Sequence, residues 1–202
     1  NKFQKYTVFH EMLRKKLVGI SATDIAEIRK PEERLQAILK SERKDELINA
    51  MERDLNISIK HSGLKSSNFG VFGSMLHGFH HPKFSDIDLV VYGKKENNKM
   101  RKTLEALYAD KKSSFRNEFE ADEARKGKIW RFINFEVQDF VWHQRRKQIY
   151  GLFDNTSVSG RVIKAEFEPV KAWNEIKSDF DPETRIRQMG WTKIKVHITG
   201  DE

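Results

Sequence analysis

Apolar and polar residues alternate with different periods along this chain, and the changes of period divide it into elements. Up to about residue 22, apolar positions (Phe3, Tyr6, Phe9, Met12, Leu13, Leu17) recur among lysines and arginines. Their spacing predicts an amphipathic, helical N-terminal segment. Thr23–Ile28 reads as a capped helical turn. Pro31 opens a helix through Leu39, with acids in its first turn, where the helix dipole favours them. Leu47, Ile48, Met51 and Leu55 share one helical face and predict a second helix over 43–56. The period then shortens. Asn68–Phe72 reads as a strand, Gly73-Ser74 as a turn, Met75–Phe79 as a short helix, His80–Ser85 as a loop and Asp86–Tyr92 as a strand. Asn97 or Asn98 can cap a helix carrying Met100, Leu104, Leu107 and Tyr108.

The second half is less regular. Residues 110–150 mix polar and aromatic side chains and predict a helical insertion through Ile129, Phe132, Ile133, Phe135, Val137, Phe140 and Val141. Their density of β-branched and aromatic residues keeps a strand open for 129–142. Val158–Pro169 returns to strand. In Trp191–Thr199, Ile194, Val196 and Ile198 alternate with Lys193, Lys195 and His197, the pattern of a strand buried on one side. Strands alternating with helices indicate an α+β or α/β domain. The division expected is a helical N-terminal arm over 1–60 and a main domain over 61–202, with an insertion near 110–150.

Composition narrows the function classes. The 202 residues are 38% hydrophobic, with 14 Phe, enough to build a sizeable core. No apolar run reaches the roughly 20 residues of a membrane span, and no charged-then-apolar leader is visible. Cys is absent, which removes disulfides, thiol catalysis and Cys-based zinc sites and fits a reducing, cytoplasmic interior. The net charge of +8 favours polyanionic partners such as nucleotides or nucleic acid. The chain begins at Asn1 rather than Met and stops just after a strand-like segment, as a piece of a longer protein would.

The densest chemical signal is Gly70–Tyr92. Gly73-Ser74 is followed, after a gap of eleven residues, by Asp86-Ile87-Asp88 inside an apolar run. On a strand, Asp86 and Asp88 share a face while Ile87 turns to the other. Their carboxylates stand roughly 6–7 Å apart along the strand. Two half-buried like charges stay ionised most easily with a divalent cation between them. A Gly-Ser turn offers backbone N–H groups, a hydroxyl and no bulk, as a polyphosphate requires.

This spacing resembles the signature of the DNA polymerase beta-type nucleotidyltransferase superfamily. The stretches Pro31-Glu-Glu-Arg-Leu35, Gly70-Val-Phe-Gly-Ser74 and Phe84-Ser-Asp-Ile-Asp-Leu-Val-Val-Tyr-Gly93 are similar to an archaeal branch of it whose substrate is not known. The resemblance implies an α+β fold, a mixed sheet with helices packed on it. It implies a magnesium-dependent enzyme that moves a nucleoside monophosphate from a nucleoside triphosphate, such as ATP, to an acceptor hydroxyl, with RNA among the acceptors. Gly73, Ser74 and Lys83 would hold the nucleotide. Asp86, Asp88 and a third acid on a neighbouring strand would bind two Mg2+ ions. Glu166 fits the third place best, with Glu168 and Asp139 as alternatives. Two other outcomes stay open: an inactive nucleic-acid-binding module on the same fold, and transfer onto protein.

Other features carry less. His77, His80 and His81 crowd one loop, but without Cys their spacing matches no structural zinc site. The basic run His143–Gln148 is either a phosphate contact or the cationic C-terminus of an amphipathic helix. Lys94, Lys95, Lys99, Arg101 and Lys102 read as a solvated helix start. Trp130, Trp142, Trp173 and Trp191 read as core or interface residues. P-loop, dinucleotide-fold, serine-hydrolase and zinc-protease signatures are absent from the sequence.

Overall fold

The structure, a computed structural model, describes residues 4–120, 136–153, 158–177 and 183–197. Two compact units divide the chain. One combines the segments 1–28 and 177–202, and the other spans Arg29–Ile176.

In the first unit β1 (Thr7–His10) and β2 (Lys15–Val18) pair antiparallel, Thr7 opposite Val18 and His10 opposite Lys15. This corrects the helix expected before residue 22. The apolar spacing there satisfies both periods, but Thr7-Val8-Phe9 is β-branched and aromatic, and the turn between the strands, with Arg14 at φ 50°, closes the ladder locally. Ser21 precedes a short 3-10 turn at Ala22–Asp24 in place of the capped helical turn. The strand expected at Trp191–Thr199 is likewise not found over the described residues 191–197. Trp191 is almost fully exposed, Ile194 and Val196 are exposed, and no ladder forms. Alternation defines two faces, but a strand also needs a neighbour for its N–H and C=O groups.

The second unit holds the core. Helix α1 (Pro31–Lys40) starts with Pro at N1 and Glu32 and Glu33 in the first turn, and buries Leu35 and Ile38. Helix α2 (Glu46–Ser62) is capped by Asp45, whose carboxylate accepts from Ile48 N at 2.8 Å, and ends on Gly63 in the left-handed region. Then come β3 (Phe69–Val71), α3 (Gly73–His77), β4 (Ile87–Tyr92) and α4 (Lys94–Ala109). They are followed by β5 (Phe115–Arg116), α5 (Val137–Lys147), β6 (Tyr150–Phe153) and β7 (Ile163–Val170). Helix α5 supplies the helix expected of the insertion, not the strand. Ile129, Trp130, Phe132, Ile133 and Phe135 lie outside the described residues.

The sheet order is β3-β4-β7-β6-β5, with β4 and β7 parallel and the other pairs antiparallel. This is the α+β mixed sheet that the resemblance implies. Period-2 alternation divides its faces. Ile87, Leu89 and Val91 of β4 and Ile163, Ala165 and Phe167 of β7 are fully or almost fully buried. Helix α4 packs against β4, β5 and β7, and α2 packs against α4. The intervening residues, Asp88 on β4 and Lys164, Glu166 and Glu168 on β7, are half-exposed. One face thus serves the core and the other carries charge.

Helix α1 braces the strands that carry the motif. A Cβ on Gly70 would lie 2.6 Å from Pro31 Cβ and 2.8 Å from its backbone, so only glycine lets α1 rest on β3. Arg34 Nε donates to Met75 O (3.2 Å), and the Tyr92 hydroxyl donates to Glu32 Oε2 (2.8 Å). Two widely separated parts of the sequence resemblance therefore touch.

Candidate active site

The acids gather where β4 and β7 run side by side. Asp88 is the register partner of Glu166, and Val90 that of Glu168. Neighbouring strands lie about 4.8 Å apart, so Asp88 and Glu166 project as a pair from the polar face. Asp86 stands one residue before β4. Glu168 is two residues beyond Glu166 on the same face. Asp139 lies elsewhere, exposed in the first turn of α5.

Strand β7 reaches Glu168 despite Pro169. Phe167 N donates to Ile149 O (2.8 Å), toward the β6 side. Residues two apart on a strand point their N–H groups the same way, so Pro169 lacks its donor on a side where β6 has already ended.

The Gly-Ser turn is built against the Asp88 carboxylate. Phe72 N donates to Asp88 O (2.8 Å), which fixes the loop to the strand. Gly73 adopts φ 58°, and a Cβ there would lie 2.1 Å from Asp88 Oδ2. Glycine is thus required twice, by its dihedral and by the carboxylate beside it. Helix α3 starts at Gly73, and its N-cap residue, Phe72, gives the first turn no side-chain acceptor. Ser74 is partly exposed within that turn.

Electrostatics join the acids into one system. Burial pushes the Asp88 carboxyl up, and the charges of Glu166, Asp86 and Glu168 push it the same way, against Lys164. Burial also raises Asp86, opposed by Arg161 and Lys164 and reinforced by Glu166. Asp86 and Asp88 resist ionising while the neighbouring acids are charged, and added positive charge relieves that conflict. The chain supplies some of it. Lys164 Nζ pairs closely with Glu166 and lies 3.5 Å from Glu118. Burial disfavours the Lys164 ammonium, but Glu166 and Glu118 outweigh it and hold its pKa up. Arg161 spans the loop before β4. Its Nε donates to Pro82 O (3.1 Å), another nitrogen donates to Ser85 O, and Nη1 lies 3.6 Å from Asp86 Oδ1.

The remaining sequence candidates fall elsewhere. Lys83 is exposed, and its charge acts on Glu46 of α2. The three histidines do not converge. His80 Nε2 lies 3.0 Å from Asp45 Oδ2, His77 stacks on Phe79, and His81 packs against Phe84. Sequence reasoning missed Arg161 and Lys164. Lys164 was findable, because it precedes Glu166 by two residues and so shares its face. Arg161 gave no signal, since its partners lie 75 or more positions away in sequence.

The donor set is suited to a hard divalent cation: carboxylate oxygens that destabilise one another, beside a turn with no side chain. Among the described residues, no three His, Cys, Asp or Glu side chains lie close enough together to grip one ion. Lys164 and Arg161 occupy part of that role.

Residues 59–150 match the nucleotidyltransferase domain family, of the DNA polymerase beta-like kind. The match takes in Gly73, Ser74, Asp86 and Asp88 and stops before β7 and Glu166. Along its whole length the chain is also similar, at 27% identity over 201 residues, to an uncharacterized protein of the archaeon Methanocaldococcus jannaschii. It spans 56% of that relative's length. No solved structure matches the chain. Among the described residues no helix is long and apolar enough to cross a membrane. The domain match supports nucleotidyl transfer as the general chemistry.

Proposed function

We propose that this protein transfers a nucleoside monophosphate from a nucleoside triphosphate to an acceptor hydroxyl with the help of Mg2+. The observation that carries it is the junction of Gly73 with Asp88 and of Asp88 with Glu166, within and beside the matched segment. The acceptor oxygen forms a bond to the α-phosphorus, the bond to the β-phosphate oxygen breaks, and pyrophosphate leaves. The hydroxyl proton passes to solvent or to a site carboxylate. Asp86, Asp88 and Glu166 would hold the metal, with Glu168 next in reach. Bound there, Mg2+ would neutralise phosphate charge and align the two oxygens.

The chain's own residues do the rest. The Gly73-Ser74 turn admits phosphate oxygens close to backbone N–H groups. Arg161 keeps the 82–86 loop and Asp86 in place. Lys164 is near enough to Glu166 to trade that partner for a phosphate. Incubation with α-labelled nucleoside triphosphates and Mg2+, with and without RNA, should yield labelled acceptor and pyrophosphate. Activity that persisted in Asp86→Ala/Asp88→Ala would refute the assignment.

The cations already beside the acids favour a second reading, a nucleic-acid-binding module that keeps the fold without the chemistry. Lys164 against Glu166 and Arg161 against Asp86 neutralise the site internally. This module would release no pyrophosphate under any condition and would bind polynucleotide equally well in EDTA.

A further inference from the structure

Helix α4 presents one long exposed face. Lys95, Asn98, Lys102, Glu105 and Ala109 recur three or four residues apart, and all are exposed. Two cavities follow that face. One, of about 540 Å³, lies among Lys94, Lys95, Asn98, Lys99 and Lys102. The other, of about 480 Å³, is lined by Tyr108, Asn117, Trp142, Arg145, Arg146 and Gln148. Lys102 lines the first and Glu105 the second. They are one turn apart, about 4.5 Å of helix rise.

The two ends differ in chemistry. Between residues 94 and 102 five cations face a single acid, Glu96. The N-terminus of α4 is already taken: the Glu175 carboxylate accepts from Lys94 N at 3.0 and 3.1 Å and from Ala172 N at 3.0 Å. The attraction offered outward therefore comes from the lysine side chains. At the other end Arg146 stacks on Trp142, 4.2 Å from the ring centroid, while 54% of Trp142 stays exposed. Around this aromatic surface the pocket sets guanidinium and amide donors beside the Glu105 and Glu120 carboxylates, the mixed donors and acceptors that a nucleobase edge needs. An acidic peptide would use the lysines but has no planar group for the indole.

The pocket also reaches the edge of the sheet. The Tyr108 hydroxyl donates to Tyr150 O (2.5 Å), and Tyr150 is the register partner of Glu166. Lys147 and Lys164 lie 5.7 and 4.9 Å from the Tyr150 ring. Two strand spacings, about 10 Å, separate Asp88 from Tyr150.

We propose that this face of α4 and its terminal pocket bind single-stranded polynucleotide, phosphates along the lysines and a base on Trp142. Helix α4 packs on the buried face of the sheet while the acids project from the other, so this track is a binding surface separate from the acid cluster, where a polynucleotide acceptor of the transferase reading above would be anchored. Stacking of bases on aromatic side chains over a basic track is how single strands are held without sequence preference.

The test is anisotropy of labelled 12-nucleotide single-stranded RNA and DNA and of a duplex, with the full chain in EDTA and without nucleotide. Single strands should bind more tightly than duplex, and affinity should fall with salt. Trp142→Ala should weaken binding about 5- to 100-fold. Lys95→Glu/Lys99→Glu/Lys102→Glu should weaken it at least tenfold and reduce the salt slope by about 2. Lys40→Glu/Lys60→Glu, which are exposed and outside this face, should act little. All three variants should keep the wild-type far-ultraviolet spectrum and melting profile, since every substituted side chain is exposed. Absence of salt-dependent binding, or binding that neither the Trp142 nor the triple variant weakens, overturns the proposal. Binding that is intact while no transfer occurs would sink the transferase reading and leave this one standing. Label arriving on protein with no oligonucleotide bound would do the reverse.

Discussion

Gly73→Ala combines two separable insults, and the fold supplies the control for one of them. Gly73 and Gly63 hold nearly the same left-handed dihedral, φ 58° and 67°. Nothing lies within 4 Å of a Cβ built on Gly63, whereas a Cβ on Gly73 would stand 2.1 Å from Asp88 Oδ2 and 3.0 Å from its Cγ. Gly63→Ala therefore measures the dihedral alone, about 1 kcal/mol, or roughly 2–4 °C in Tm for a chain of this size. Gly73→Ala carries that cost and also forces the Asp88 carboxylate out of its position, at about 0.5–1.5 kcal/mol for a displaced rotamer. The sum is about 1.5–2.5 kcal/mol. The catalytic consequence is larger. A misplacement of about 1 Å at a reacting centre can cost about 100-fold in rate. Urea denaturation with pyrophosphate release from Mg2+ and nucleoside triphosphate reads both quantities. Gly63→Ala should keep its rate within about twofold, and Gly73→Ala should lose about 100-fold. If the two alanine variants show the same rate, the Asp88 carboxylate at Gly73 does not serve the reaction as argued.

Four further outcomes follow from particular contacts. Burial pushes the Asp54 carboxyl up to about 8. Between the unfolded value of about 3.9 and that value, the folded chain holds a proton the unfolded chain has released, so stability falls as pH rises through this window. Asp54→Asn should flatten that slope and gain several kcal/mol, order of magnitude, at pH 8; an unchanged urea midpoint between pH 5 and 8 in the wild type would contradict it. Asp88→Asn removes a half-buried charge that burial and then Glu166, Asp86 and Glu168 oppose, so in EDTA it should raise Tm slightly, while abolishing stabilisation by Mg2+ with nucleotide. Arg161→Lys keeps the charge but not the planar fork that reaches Pro82, Ser85 and Asp86, so calorimetry should show weaker Mg2+-nucleotide binding with little recovery over Arg161→Ala. Tyr92→Phe removes the hydrogen bond to Glu32 and should cost about 1 kcal/mol in urea with transfer unaffected; a rate change would mean that α1 does more than brace β4.

Much of the candidate site was legible in one dimension because its parts obey local rules. The Gly-Ser turn, the Asp-x-Asp alternation and the apolar flanks lie within 23 residues, and strand period alone placed both Asp side chains on one face. The same rule placed Glu166 and Glu168 on a common face. The helix at Pro31 was legible from its first-turn proline and acids and the next one from its apolar face, which are also local. The N-terminal hairpin was misread because six apolar residues satisfied the helical period as well, and the turn that decides between them is a backbone event.

The sequence by itself determined the chemistry available to this protein: the phosphate-shaped turn, the paired acids, the absence of thiols and the surplus of positive charge. The tertiary structure decided which distant residues share that chemistry. Parallel pairing of β4 with β7 selects Glu166 as the neighbour of Asp88 and leaves Asp139 on a helix surface. The same pairing brings Lys164 and Arg161 to the acids, and the packing of α1 on β3 makes Gly70 indispensable. Periodicity reports which way a side chain points from its own backbone. Which strands meet, and in what register, depends on burial summed over the whole core, and no short stretch of sequence contains that sum.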